Sequence, residues 1–167
     1  MNRPSQIQAE HLTKAAVVYV RLSSPEHRLW DTSESTSELV ERATLWGWPN
    51  SHIQVLYDDV GTSVSRPRQC QGFRQMLTKL EGGEVAIVFA TDISRLFRNA
   101  RDAEDLLRIA AARNVLLAVD GQLFSPYEPS DRLLIFLQFL YGRSENEARR
   151  AWVYWGSFGF NDTAPLN

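Results

Sequence analysis

Val85-Ala86-Ile87-Val88-Phe89-Ala90 is six apolar residues in a row with no polar residue among them. A strand sends successive side chains to opposite faces, so a strand of this composition has no side it can show to water. It needs a layer on each face and a strand on each edge, which is the position of a central strand in a parallel sheet. Shorter apolar runs repeat the theme. Ala16 to Leu22 is rich in β-branched valine, Ile53 to Tyr57 places Ile53, Val55 and Tyr57 on one side, and Val115 to Val119 reads as a fourth strand. Helical spacing fills the gaps between them. Ser35 and Glu38 form a capping-box pattern ahead of Leu39, Ala43 and Trp46, with Gly47 as the stop; Phe73, Met76, Leu77 and Leu80 follow at i, i+3, i+4, i+7 and end at Glu81-Gly82-Gly83. Ala103, Leu106, Leu107, Ala110 and Ala111 make a third helix up to Asn114. After a loop from Gly121 to Pro129, Ser130 can cap a long last helix spanning 131–155. The expected fold is therefore α/β: a mainly parallel sheet of four strands, possibly five, flanked by helices and closed by a long C-terminal helix. Residues 1–14 carry no periodic pattern and read as a flexible N-terminal tail.

In open parallel sheets, sites form beyond the carboxyl ends of the strands. The first strand ends in Arg21-Leu22-Ser23-Ser24 and is stopped by Pro25. The second runs into Asp58 and Asp59, followed by Arg66 and Arg68. The third runs into Ser94, Arg95, Arg98 and Arg101. A rim of serines, arginines and a carboxylate, with neither GxGxxG nor a P-loop, suits a serine attacking a phosphate while arginines neutralise the transition state. Plainer readings stand beside it: Arg-x-Ser as a chance junction, and Arg95, Arg98 and Arg101 as a solvated basic face. Positive charge at a helix start opposes the helix dipole, which weakens the second of these. The formal net charge is -2, so any phosphate-binding surface must be local. A lone Cys70 leaves no internal disulfide or multi-cysteine zinc site, and His11, His27 and His52 show no metal spacing, so no metal is expected. Nothing at the start resembles a signal peptide, and the apolar run from Leu133 to Tyr141 is too short to cross a bilayer. The expected location is the cytoplasm, with no membrane contact.

Tyr19-Val20-Arg21-Leu22-Ser23-Ser24 resembles the Tyr-x-Arg-Val-Ser-Thr opening motif of the serine recombinases, the resolvase/invertase family. Ile93-Ser94-Arg95-Leu96-Phe97-Arg98-Asn99 is similar to that family's Asp/Ser-Arg-Leu-x-Arg motif; Asp59-Val60-Gly61-Thr62-Ser63, Gly72-Phe73 and Asp131-Arg132-Leu133-Leu134 match intervening segments in the right order. The resemblance runs from about Ala15 to Arg150 and implies a catalytic domain over 15–156. It implies Ser23 as the nucleophile of a phosphoserine link to a DNA 5′ end. Arg21, Arg95 and Arg98 would bind the scissile phosphate, Asp59 would support them, and Ser24, Arg66, Arg68, Ser94 and Arg101 would line the DNA. It also implies no cofactor, DNA as the partner, and homo-oligomers (a dimer, and a tetramer on synapsis) formed through helix 131–155.

The chain departs from that pattern at several places. Cys70 stands where the resemblance expects an arginine, no glutamine occurs between Ser23 and His52, and the first helix reads about one turn short. Residues 157–167 form a short tail, so no DNA-binding module is expected after the long helix. Leu133 to Tyr141 is apolar nearly all round. Such a helix is either a core helix of the monomer or one face of a contact between subunits, and a single sheet face favours the subunit contact. The resulting expectation is a site-specific serine recombinase catalytic domain without its own DNA targeting. The alternative is a non-catalytic remnant or regulatory subunit that pairs with a full-length recombinase.

Overall fold

The computed structural model describes residues 3–22, 31–59 and 71–142. Strands β1 (Ala15–Leu22), β2 (Ile53–Asp59), β3 (Val85–Ala90), β4 (Leu116–Val119) and β5 (Gln122–Phe124) form one sheet in the order β2-β1-β3-β4-β5. β1 runs parallel to β2 and β3, β3 runs parallel to β4, and β5 returns antiparallel to β4. The helices are α1 (Asp31–Leu45), α2 (Gln71–Glu81), the single turn α3 (Ile93–Leu96), α4 (Ala100–Arg113) and α5, which begins at 129 and is described to 142. β3 is buried at all six positions, as its composition demands.

Alternation along the strands divides the core in two. Val17 and Tyr19 of β1 join Val88, Leu117 and the apolar faces of α2, α3, α4 and α5 on one side of the sheet. Ala16 and Val18 join Phe89 and α1 on the other, where Trp46 and Trp48 pack on Phe89 at centroid distances of 5.4 and 6.2 Å. Full burial of side chains this size contributes roughly 2–3 kcal/mol each.

Helix ends follow the backbone chemistry of their stop residues. At the end of α1, Gly47 takes φ 110°, its N–H donates to the Thr44 carbonyl, and the Trp48 N–H reaches back to Ala43. Gly83 closes α2 in the same way, with φ 76° and N–H bonds from Gly83 to Leu80 and from Glu84 to Lys79. This pair of bonds satisfies carbonyls that the last helical turn leaves open.

Several expectations are corrected. Residues 3–14 are not a loose tail: Ile7 and His11 are buried, and the Ala15 N–H bonds the Glu84 carbonyl. α1 is helical from Asp31, so Ser35 and Glu38 lie inside it rather than capping it. The segment before Leu39 holds Asp, Thr, Ser and Glu, which carry no apolar periodicity to mark a boundary. The loop expected from Gly121 to Pro129 contains β5, reached through a two-residue turn in which Asp120 and Gly121 take φ 49° and 72°. Asp-Gly between apolar runs is a hairpin signal. α5 starts at 129 rather than after a Ser130 cap, because proline's fixed φ suits a first helical turn. That turn is tied down elsewhere: the Asp131 carboxylate accepts from the Ser125 N–H at 2.7 Å, and Arg132 donates to the Pro126 carbonyl at 2.9 Å. Of the two readings of the last helix, the less favoured one, a core helix buried all round, does not hold for the described part of α5. Ile135 and Phe139 are buried, whereas Leu133, Leu134, Leu137, Leu140 and Tyr141 are 45–70% exposed. No described helix is long and apolar enough to cross a membrane.

Candidate active site

Arg21 is the last residue of β1 whose side chain is described, and alternation puts it on the same face as Val17 and Tyr19. That face carries α3, α4 and α5. Its Nη2 donates to the Ser94 carbonyl in α3, so the end of one strand is tied to the turn that follows the next but one. α3 is held from both sides. Its Ile93 and Leu96 are buried, and Phe97 beyond it packs edge-on against Phe139 of α5 at 5.7 Å. Its start is capped by Asp92, whose Oδ1 accepts from the Arg95 N–H at 2.9 Å and from the Ser94 hydroxyl at 2.5 Å. Asn99 then caps α4 by accepting from the Asp102 N–H at 2.9 Å. Two caps seven residues apart, with buried Leu96 and Phe97 between them, fix where Arg95 and Arg98 leave the backbone.

Arg95 and Arg98 are three residues apart, a spacing that on one continuous helical turn would aim both the same way. Instead α3 stops at Leu96, Phe97 is extended at φ −115° and ψ 142°, and Arg98 follows in a bend. Both arginines nonetheless act on Arg21. Burial lowers the Arg21 guanidinium from its ordinary value, and Arg98 and Arg95 lower it further, while Tyr19 and Asp92 oppose them. The Arg21 Nε is buried and has no hydrogen-bond partner among the described residues. A half-buried cation beside two further cations is a place where an anion is stabilised. At an effective dielectric of about 20, opposite unit charges 4 Å apart attract by about 4 kcal/mol.

The structure thus brings Arg21, Ser94, Arg95 and Arg98 together. Arg101 stands exposed in the first turn of α4 and is not among the groups acting on the Arg21 charge. Asp59 ends β2 beside Leu22 in the parallel register, but its side chain lies outside the described residues. Ser23, Ser24, Arg66, Arg68 and Cys70 also lie outside them. Asp92 was missed by sequence reasoning. The signal was present: an aspartate before Ile93-Ser94-Arg95-Leu96, with apolar residues at its first and fourth positions, is an N-cap pattern. Among the described residues, no group of three or more His, Cys, Asp or Glu is arranged to hold a metal ion.

Comparison with known proteins gives the geometry a context. The family profile described as "Resolvase, N terminal domain" matches residues 16–152. An uncharacterized protein of Sinorhizobium fredii is 32% identical over 136 residues, covering 80% of this chain and 20% of the relative. The chain therefore spans about a fifth of the length of that relative. Among solved structures, a resolvase family site-specific recombinase from Streptococcus pneumoniae matches with a TM-score of 0.58 and 22% identity, over 87% of this chain and 96% of that one. The C-terminal catalytic domain of an IS607-like serine recombinase matches with a TM-score of 0.51 and 25% identity, over 64% of this chain and 70% of that one.

Proposed function

Since this chain belongs to the resolvase N-terminal domain family, that of the serine recombinase catalytic domains, we propose that it cleaves and rejoins DNA strands through a 5′-phosphoserine intermediate. In this reading the Ser23 hydroxyl attacks the scissile phosphorus, the bond to the 3′ oxygen breaks, and that oxygen leaves with a proton. A free 3′ hydroxyl reverses the step on the same or another strand. One phosphodiester is exchanged for another, so the bond energy is conserved. The observation that carries the reading is the placing of Arg21 at the carboxyl end of β1, held by the Ser94 carbonyl and facing the charge of Arg95 and Arg98. Those guanidinium groups are suited to share the charge of a pentacovalent phosphorus, and a planar fork of donors matches phosphate oxygens. Asp59 is assigned a supporting role, and Ser24, Ser94, Arg66, Arg68 and Arg101 flank the DNA.

The same reading assigns α5 to self-association. Its buried residues face its own domain, and its exposed leucines form a stripe that a second copy would cover. A second reading, a non-catalytic subunit that pairs with an active recombinase, is favoured by Cys70 standing where the family pattern has arginine.

The experiment is a fusion of a DNA-binding domain after Arg150, presented with a nicked duplex carrying its site, because tethering raises the effective concentration of substrate. A covalent protein–DNA adduct is expected from the fusion, absent in Ser23→Ala and reduced at least about 100-fold in Arg95→Ala. Binding without an adduct, unchanged in Cys70→Arg, selects the non-catalytic subunit.

A further inference from the structure

We infer that Asp92 is a positioning residue for the phosphate site: its carboxylate holds the Arg95 side chain and the Ser94 backbone in the arrangement that the scissile phosphate meets. The inference rests on the recombinase reading and extends it to a residue outside the family's motif positions. One carboxylate reaches two of the grouped arginines. Towards Arg95 it acts directly, with Oδ1 on the backbone N–H at 2.9 Å and Oδ2 at 3.9 Å from Nε. Towards Arg21 it acts through Ser94, whose hydroxyl donates to Oδ1 and whose carbonyl accepts from the Arg21 guanidinium. Ser94 itself stands at a position where the resemblance allows aspartate or serine. A serine there brings no charge of its own. Asp92, two residues earlier, is the carboxylate among the groups acting on the Arg21 charge.

The Asp92 side chain is 46% exposed and that of Arg95 39% exposed, so their ion pair adds little to stability. Its effect is on where Arg95 points. A guanidinium that must be found by the phosphate after binding costs rate, whereas one already aimed does not. A carboxylate close to the phosphate position also repels it, so the same group slows DNA association while speeding the chemistry.

Asp92→Asn separates these roles. Asparagine caps a helix as well as aspartate does and still accepts from the Ser94 hydroxyl, so only the charge is lost. In the fusion described above, the variant is expected to unfold at the same urea midpoint as the parent and to bind DNA equally or more tightly. It should form the adduct roughly 10-fold more slowly. Asp92→Ala loses the cap as well and should fall in both stability and rate. An Asp92→Asn variant with a parental adduct rate, beside an inactive Ser23→Ala, overturns this inference and leaves the recombinase reading in place. Should neither the parent nor Cys70→Arg form an adduct, the recombinase reading fails, and the Asp92 contact is judged on the 15N-labelled arginine side chains of the unfused chain. There, an Arg95 Nε–H signal that shifts and broadens in Asp92→Asn supports the positioning role. One that is unchanged overturns it.

Discussion

His11 shows how far a single residue can depart from its composition-level reading. It lies in a short 3-10 turn, 6% exposed, with Nδ1 accepting from the Gln8 N–H at 2.9 Å and Nε2 buried without a partner among the described residues. The accepting Nδ1 fixes a neutral ring, and burial lowers its pKa below the ordinary 6.5, with Lys14 acting in the same direction and Glu10 against it. The unfolded chain therefore takes up a proton that the folded one refuses. The stabilisation is complete above pH 6.5 and is lost as pH falls from 6.5 through the lower folded value. Urea midpoints at about pH 7.5 and pH 5.5 should differ in the parent, and the difference should shrink in His11→Asn. None of this was legible in advance, since one histidine in an aperiodic segment carries no pattern. The arginines were legible for the opposite reason. Strand ends can be read from apolar runs, and polar residues placed just beyond several of them converge wherever the strands are parallel. Asp92 stands apart from the arginines, since its oxygen serves as a helix cap and a partner for the Ser94 hydroxyl, contacts that net charge does not signal.

At the level of elements, the glycine stops differ in what surrounds them, and that difference is measurable. Gly121 takes φ 72° in the β4–β5 turn, and a Cβ there would meet its nearest neighbour, Arg42 Nη1, at an ordinary 3.7 Å. Gly121→Ala then costs only the left-handed backbone, about 1–2 kcal/mol. Gly47 takes φ 110°, and a Cβ would come within 3.2 Å of the Leu12 Cδ1 in the N-terminal segment. Gly47→Ala should lower the urea midpoint more than Gly121→Ala; equal shifts would show that Leu12 yields freely. The long periodic elements were legible, because β3, α2 and α4 have apolar spacing over their whole length. The elements that were misjudged share a physical cause. The first residues of α1 are all polar in sequence, and β5 is three residues long, so neither carries apolar spacing that would mark it. α5 was readable as apolar, but whether those residues face the core or the outside depends on one sheet face having room for a single stripe.

For the whole molecule, the exposed leucines of α5 and the net charge of -2 set how it meets other molecules. Light scattering after size exclusion should find a dimer or larger oligomer at micromolar concentration. Leu134→Asp with Leu137→Asp, both at exposed positions, should give a folded monomer, whereas Ile135→Asp should fail to fold because Ile135 is fully buried. A parental chain that is already a stable monomer would falsify the assignment of this stripe to self-association. The parallel sheet has a further consequence. His11 lies four residues before Ala15, where β1 begins, and Arg21 is the last residue but one of that strand, so β1 alone separates Ala15 from Arg21 by about 20 Å at 3.3 Å per residue. Free-energy changes at sites that far apart add to within about 0.5 kcal/mol. His11→Asn and Arg95→Ala combined should therefore show the pH response of the first and the adduct rate of the second, each unaltered by the other. On the proposed function, durability set in the N-terminal turn and chemistry set at the carboxyl end of β1 are then separately adjustable.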